Sequence, residues 1–488
     1  MMLEDLGAIL YGLVLFGLSL YGAHRFWLVG QYLIQRHRSV VAKGTFASLP
    51  KVTVQLPIFN EKYVVERLLE AVAELDYPQN LLEIQLLDDS TDETQKIAEA
   101  KILELQKRGL DAVHIHRENR QGYKAGALGE GLRVAKGEFL AIFDADFLPS
   151  KDILLKTIHH FVDPEVGMIQ TRWGHINRHY NFLTRMQALL LDGHLLIEQT
   201  VRNRTGRFFN FNGTAGVWRK TAIQEAGGWQ HDTLTEDLDL SYRAQLKGWK
   251  FVFLPHLITP AELPVDMNSF KTQQHRWAKG AVQTCKKLLP TIWRSPVTLK
   301  IKMEATFHLT ANIAYLLLVI MALLMRPGLS YFDQFLDGAI YLDLCVFVLA
   351  TFSVLLFYGV VLWELKVSWW KKVLYLPSLM AIGIGLSINN AKAVMEALLN
   401  YTTGFSRTPK YGITNKDQTW KRKSYISSGS LLCLVEVAVA LSYIYYVAFA
   451  LQQQLWSSLP YFLFFMMGFS YVAFLSLWQK TQCYFHRS

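Results

Sequence analysis

The chain has 488 residues, 51% of them hydrophobic and 13% aromatic, with a mean hydropathy of +0.16, which excludes an ordinary soluble enzyme. The formal net charge is +10, but six Lys or Arg against Asp417 within residues 401–424 account for +5. That pattern marks a short loop on the cytoplasmic side of a membrane and argues against a nucleic-acid partner. Four cysteines without paired spacing (Cys285, Cys345, Cys433, Cys483) indicate neither a zinc site nor a disulfide framework.

Residues Leu6–Val29 form the first apolar run of the roughly 20 residues needed to cross hydrocarbon. The run opens "MMLEDL", without the basic leader of a signal peptide, and is expected to stay as an anchor, with residues 1–50 forming anchor and linker. Charged residues then gather between Lys43 and Lys302, so residues 51–290 are expected to be one cytosol-facing soluble domain.

Within that domain, "VTVQL" (52–56), "EIQLLDD" (83–89), "AVHIH" (112–116) and "EFLAIFDAD" (138–146) are short apolar runs separated by helical stretches such as "EKYVVERLLEAVAEL". The alternation predicts an α/β domain with a parallel sheet covered on both faces. Ligands of such sheets bind at the carboxyl ends of the strands. Polar residues cluster there: Asn60 and Glu61 after the first run, Asp88 and Asp89 after the second, Asp144 and Asp146 after the fourth. A single strand-end Asp is equally well a helix cap, but converging carboxylates repel and call for a cation or polar ligand. Asp144-x-Asp146 puts two carboxylates on one side of an extended segment, as a hard divalent ion requires.

"ENRQGYKAGAL" (118–128) brings Arg120 and Lys124 to a helix start, either a diphosphate site or a solvated basic loop. "FNGTAGVW" (211–218) reads as a Gly-rich loop that lets a ligand approach the backbone. "LTEDLDLSYRAQLKG" (234–248) predicts a helix with Thr235 at the cap and Glu236 and Asp237 in the first turn, where the macrodipole would keep Asp237 ionised. In "QQHRWAKG" (273–280), a helix would align Gln273, Arg276, Trp277 and Gly280 on one face. Arg276 then reaches a diphosphate and Trp277 stacks on a sugar; alternatively both sit in the aromatic and basic belt at a bilayer edge.

Residues 291–488 carry further apolar runs at Ala305–Met325, Ile340–Trp363, Ile426–Leu451 and Pro460–Trp478. A sixth stretch, 373–399, contains Pro377, Gly383 and Gly385, ends polar, and has Lys371 and Lys372 before it and the +5 loop behind. Both flanks prefer the cytoplasm, so an interfacial or re-entrant helix is expected over 373–400. The lysine-free and arginine-free segments 327–338 and 452–460 then face outside. The expected topology is five spans, N terminus out and C terminus in; a crossing by 373–399 would make six and put the following loop outside, against its charge.

Taken in order, "LLDDSTDET", "DAD", "TED" and "QQHRW" resemble the membrane-embedded family-two glycosyltransferases, among them the cellulose synthases. "PIFNE", "FNGTAGVWR" and "RTPK" look closest to the cellulose synthase-like A and C branch of mannan and glucan synthases. "FSRTPK" (405–410) resembles their gating loop, placed over 401–424, but with Arg407 where the family has Val. The resemblance implies a GT-A glycosyltransferase domain held between transmembrane helices in a bacterial inner, plasma or Golgi membrane. It implies a donor site formed by Pro57, Glu61, Asp88, Asp89, Lys124, Asp144, Gln273, Arg276, Thr408 and Lys410, with Mg2+ or Mn2+ on Asp144 and Asp146. Asp237, beside Thr235 and Glu236, would be the general base; Trp277, Asn212, Gly213 and Thr214 would flank the acceptor. The implied reaction is inverting β-transfer from UDP-glucose or GDP-mannose to a growing polysaccharide that leaves through the membrane. Addition of one sugar to a lipid is the alternative within the same chemistry. A transporter or receptor with a nucleotide-sensing domain accounts for the apolar runs but not for the four motifs together.

Overall fold

The computed structural model describes residues 2–335, 339–402, 404, 407–420, 423, 425, 431–456 and 458–485. Phe405, Lys421, Arg422 and Arg487, the predicted span start Ile426, and residues 336–338 of the predicted outside loop lie outside the described residues.

Between the apolar helices sits one sheet of seven strands: β1 Val52–Ile58, β2 Leu82–Asp88, β3 Asp111–His116, β4 Phe139–Ile142, β5 Val166–His175, β6 Gly216–Arg219 and β7 Lys250–Ala261. Their order is β3-β2-β1-β4-β6-β5-β7. The first four coincide with the runs read from sequence. Val52, Val54 and Leu56 alternate onto one face, where Val65, Leu68, Ala98 and Ile102 of two helices cover them. On the other face Leu140 and Ile142 meet Ala127, Leu128, Leu240 and Ala244 of two more helices. Buried polar groups must find partners, and those of β1 do: Thr53 Oγ1 donates to Glu83 Oε2 at 2.6 Å and Gln55 Nε2 to Gln85 Oε1 at 3.0 Å.

The expected all-parallel sheet is in fact mixed, because β6 runs antiparallel to both β4 and β5. The chain enters β6 from the carboxyl edge, where Thr214 Oγ1 accepts the Asp144 amide at 2.8 Å, so it can only run back across the sheet.

Among the described residues, four helices are long and apolar enough to cross a membrane: Ile9–Gln35, Trp369–Leu398, Leu432–Gln452 and Leu459–Thr481. A bent pair, Leu299–Thr310 and Ile313–Met325, adds a fifth candidate. The predicted span 305–325 therefore falls on two helices that meet at a 56° bend. At the break the Thr310 carbonyl accepts a hydrogen bond from Tyr21 Oη at 3.0 Å.

The stretch 373–399 is a single continuous helix, Trp369–Leu398, up to its capping residue Leu399. Its polar last third faces the long helix Met267–Arg294 that carries "QQHRW". Asn389 Nδ2 donates to the Lys271 carbonyl at 3.0 Å, and Glu396 Oε2 accepts Lys279 Nζ at 3.0 Å. Gly385 and Gly468 let this helix touch Leu459–Phe485, since a Cβ on either would come within 2.3 Å of a carbonyl oxygen on the other helix.

Candidate active site

The carboxyl ends of β1, β2 and β4, the starts of two helices and the 407–410 loop converge on one cavity. Of the predicted site residues, Pro57, Glu61, Asp89, Lys124, Asp144, Asp146, Asn212, Gly213, Thr235, Glu236, Asp237, Gln273, Arg276, Trp277, Thr408 and Lys410 all line it. Asp88 and Thr214 do not.

Asp88 and Asp89 are successive residues at the end of β2, so their side chains point to opposite faces. Asp89 meets the cavity, gripped by Arg117 through Nε at 2.7 Å and Nη2 at 2.6 Å. Asp88 turns away to His114 on β3, at 2.9 Å. Thr214, expected on the acceptor path, instead holds the Asp144 backbone.

The two acids of "DAD" each meet a lysine. Lys124, in the first turn of the helix Tyr123–Val134, places Nζ 2.5 Å from Asp144 Oδ1 and 2.9 Å from the Gly213 carbonyl. Burial works against its charge, but Asp144, Glu236 and Asp237 more than offset this and raise its pKa. Lys410 places Nζ 2.7 Å from Asp146 Oδ2, which also accepts the Glu262 amide at 3.1 Å. Each acid thus already has a cation beside it, and carboxylate oxygens are the donors that Mg2+ and Mn2+ prefer.

The helix Glu236–Leu246 opens at the cavity. Thr235 precedes it without a side-chain cap; its hydroxyl meets Thr284 Oγ1 at 3.2 Å. Asp237 Oδ1 accepts the Leu238 amide at 2.8 Å. Contrary to the macrodipole expectation, burial and the neighbouring Glu236 push the Asp237 carboxyl up to about 7, with Lys124 holding it down only in part. Gly213, at φ +82, is what lets the "FNGT" loop sit against that carboxylate: a Cβ there would stand 2.8 Å from Asp237 Oδ2.

The "QQHRW" face is helical as expected, and Gln273, Arg276 and Trp277 turn into the cavity. Trp277 lies 6.5 Å from Trp173 between ring centroids, and both line the cavity. Gly280, one turn further, abuts Thr235, whose amide nitrogen would be 2.9 Å from an added Cβ. On the opposite side His275 and Lys279 meet Glu396, at 3.1 and 3.0 Å.

The 407–410 segment closes the cavity. Arg407 Nε donates to Glu61 Oε1 at 3.0 Å, and its Nη1 reaches the Asn60 carbonyl. Burial pushes the Glu61 carboxyl up to about 7 despite Arg407. The amides of Tyr411 and Ile413 donate to Glu262 at 2.9 and 3.2 Å.

Sequence reasoning missed Arg117, Glu262 and Trp173. Glu262 directly follows β7 and is a strand-end acid like the others, but β7 itself was not anticipated. Arg117 follows β3 by one residue and could have been found by the same logic.

The family described as "Glycosyl transferase family group 2" matches residues 139–384. Curated relatives include glucomannan 4-beta-mannosyltransferase 1 of Oryza sativa subsp. japonica, 44% identical over 52% of this chain and 49% of its own length. Glucomannan 4-beta-mannosyltransferase 2 of Arabidopsis thaliana is 44% identical over 51% of this chain and 48% of its own. The chain spans about half the length of the curated relatives it matches. Among solved structures, the mannosyltransferase PcManGT of Pyrobaculum calidifontis, in complex with GDP-Man and Mn2+, aligns with a TM-score of 0.52 at 19% identity. That alignment covers 82% of this chain and 100% of the other, and it shows a shared GT-A-type fold. With half the chain matched by one family and the fold in agreement, the chain belongs to glycosyl transferase family group 2.

Proposed function

We propose that the protein is an inverting β-glycosyltransferase that transfers a hexose from a nucleoside diphosphate sugar, UDP-glucose or GDP-mannose, onto a growing β-linked polysaccharide. The observation that carries this reading is the convergence of Asp237, the Asp144–Asp146 pair and the Gln273–Arg276–Trp277 face on one cavity. The names of the curated relatives favour a mannan or glucomannan product.

Asp237 has one oxygen anchored by the Leu238 amide and the other toward Gly213, free of that bond. It takes the proton of the acceptor hydroxyl as the new C–O bond forms and the bond to the diphosphate breaks on the opposite face, which inverts the anomeric carbon. Asp144 and Asp146 would hold Mg2+ or Mn2+, which offsets charge on the departing diphosphate. Lys124 and Arg276 bring cationic side chains to the same departing group. Asp89 and Glu61 meet the nucleoside, and Trp277 offers a flat apolar surface to the acceptor ring.

For the membrane we propose the arrangement expected from charge, with the domain 51–290 on the cytoplasmic face. The contacts of Arg407 and Lys410 inside the cavity support it, since they tie the basic loop to the side of the catalytic domain. An interfacial position for Trp369–Leu398 is supported at both ends. Tyr375 and Leu379 pack with Leu183 and Met267, and Lys286 Nζ caps the Ala397 and Leu398 carbonyls at 3.0 Å.

The test is turnover of the purified full chain in lipid nanodiscs against a panel of sugar nucleotides, with the product sized. Release of diphosphate with a polymer supports the proposal. A lipid carrying a single sugar selects the non-processive alternative, and no diphosphate from any donor rejects both.

A further inference from the structure

The carboxylate that the donor cavity does not use has company. Asp88 is wholly buried at the end of β2, and β3 pairs with β2 in a register that puts His116 opposite it. Asp88 Oδ2 lies 2.9 Å from His114 Nε2 and 3.6 Å from His116 Nδ1, and the ligand atoms of all three fall within 4.8 Å of one another. His114 and His116 alternate by two along the strand and so share one face. Ligands at metal bonds of about 2.0–2.2 Å in a tetrahedron stand roughly 3.3–3.6 Å apart; the Asp88–His116 separation already matches, and Asp88 and His114 would part by a few tenths of an ångström to admit an ion between them.

We propose that Asp88, His114 and His116 form a second metal site, for a zinc-type divalent transition ion, separate from the Asp144–Asp146 pair. Ligand chemistry distinguishes the two: imidazole nitrogen suits zinc and its neighbours, whereas all-carboxylate donors suit Mg2+ and Mn2+. The surroundings fit a built site. Asp88 Oδ1 is fixed by the Ser90 amide at 2.8 Å, leaving Oδ2 aimed at the histidines. The histidine side chains are 14% and 27% exposed, which leaves an entry path and room for water at the remaining coordination position. Arg117, the cation that follows His116 in the chain, is neutralised by its bidentate pair with Asp89.

The ion braces the donor cavity without touching it. It ties the ends of β2 and β3 together, and the next residue on each strand, Asp89 and Arg117, forms the gripped pair at the cavity wall. The inference holds or fails independently of the donor and product proposed above.

The test uses the full chain, purified without a histidine tag, stripped with chelator and dialysed against limiting Zn2+. One zinc per chain is expected to remain in wild type and in D144N/D146N, and to be retained at least roughly tenfold more weakly in H116A. A wild type that retains none, or an H116A that retains it equally, overturns the proposal. Co2+ added to stripped wild type provides a reading that depends on no variant's folding. Intense visible absorption from a four- or five-coordinate nitrogen-bound ion is expected; only the weak absorption of an octahedral aquo ion counts against the site.

Discussion

Lys410 Nζ and Asp146 Oδ2 stand 2.7 Å apart, so a cation from the 407–410 loop rests on the second acid of the "DAD" motif. Asp146 is buried and Lys410 nearly so, where a charge without a partner is strongly unfavourable. A metal on Asp146 and Lys410 on Asp146 are therefore competitors for one carboxylate. K410A is expected to bind Mn2+ several-fold more tightly in the absence of donor while turning over at least tenfold more slowly. Mn2+ titration by electron paramagnetic resonance reads the first effect, and unchanged metal affinity would reject the competition.

The elevated carboxyl of Asp237 gives the reaction a pH signature. With burial and Glu236 pushing it up to about 7, the base proposed above is increasingly protonated, and so lost to the reaction, as pH falls below that value. Turnover is expected to rise with pH through an apparent pKa of about 7 and to be at least ~1,000-fold lower in D237N, with donor affinity nearly intact. A pH–rate profile that is flat from 5.5 to 8, or appreciable activity in D237N, would assign the base elsewhere.

Gly213 and Gly280 are two positions at which a single methyl group would press on the start of the helix that carries Asp237. At Gly213 it would strike Asp237 Oδ2 at 2.8 Å from a backbone at φ +82; at Gly280 it would press the Thr235 backbone nitrogen at 2.9 Å. Displacing a base by an ångström is worth about 100-fold in rate. G213A and G280A are each expected to lower kcat by about that factor while the protein stays folded, as circular dichroism and nucleotide binding would report. Wild-type kcat in either variant would mean that these contacts relax at no cost.

Trp277 has Trp173 as neighbour and cavity on its open side. Removing it should weaken acceptor more than donor: W277A is expected to raise the acceptor KM roughly tenfold, the equivalent of one lost stacking contact of about 1–1.5 kcal/mol, with donor binding by calorimetry little changed. The reverse pattern would place the indole on the donor.

The parts that were legible in the sequence share a physical origin. β1, β2 and β4 are short runs rich in Val, Leu and Ile that are buried along their whole length, the polar Thr53, Gln55, Glu83 and Gln85 being paired with one another, and each is followed by acids that converge on one edge. The "QQHRW" face was legible because its spacing of three and four survives as a helix. β5 and β7 were not, since polar and glycine residues interrupt "VGMIQTRWGH" and the edge strand "KFVFLPHLITPA" mixes buried and exposed positions, and the four residues of β6 are too few to show a period. Asp88 and Asp89 illustrate the limit most simply. Adjacent strand residues must face opposite ways, but which one meets the ligand depends on a register that only the folded sheet supplies. The ionisation of Asp237 was misjudged for a related reason: the macrodipole is a local effect, whereas the burial that outweighs it is supplied by segments the fold brings in, among them the "FNGT" loop packed against its carboxylate.

At Gly280 nothing larger than a hydrogen atom separates the helix bearing Trp277 from the backbone that opens the helix bearing Asp237. Two helices in such intimate apposition cannot slide past one another unless Thr235 repacks, so a shift of the segment bearing the indole is passed on to the start of the helix bearing the carboxylate.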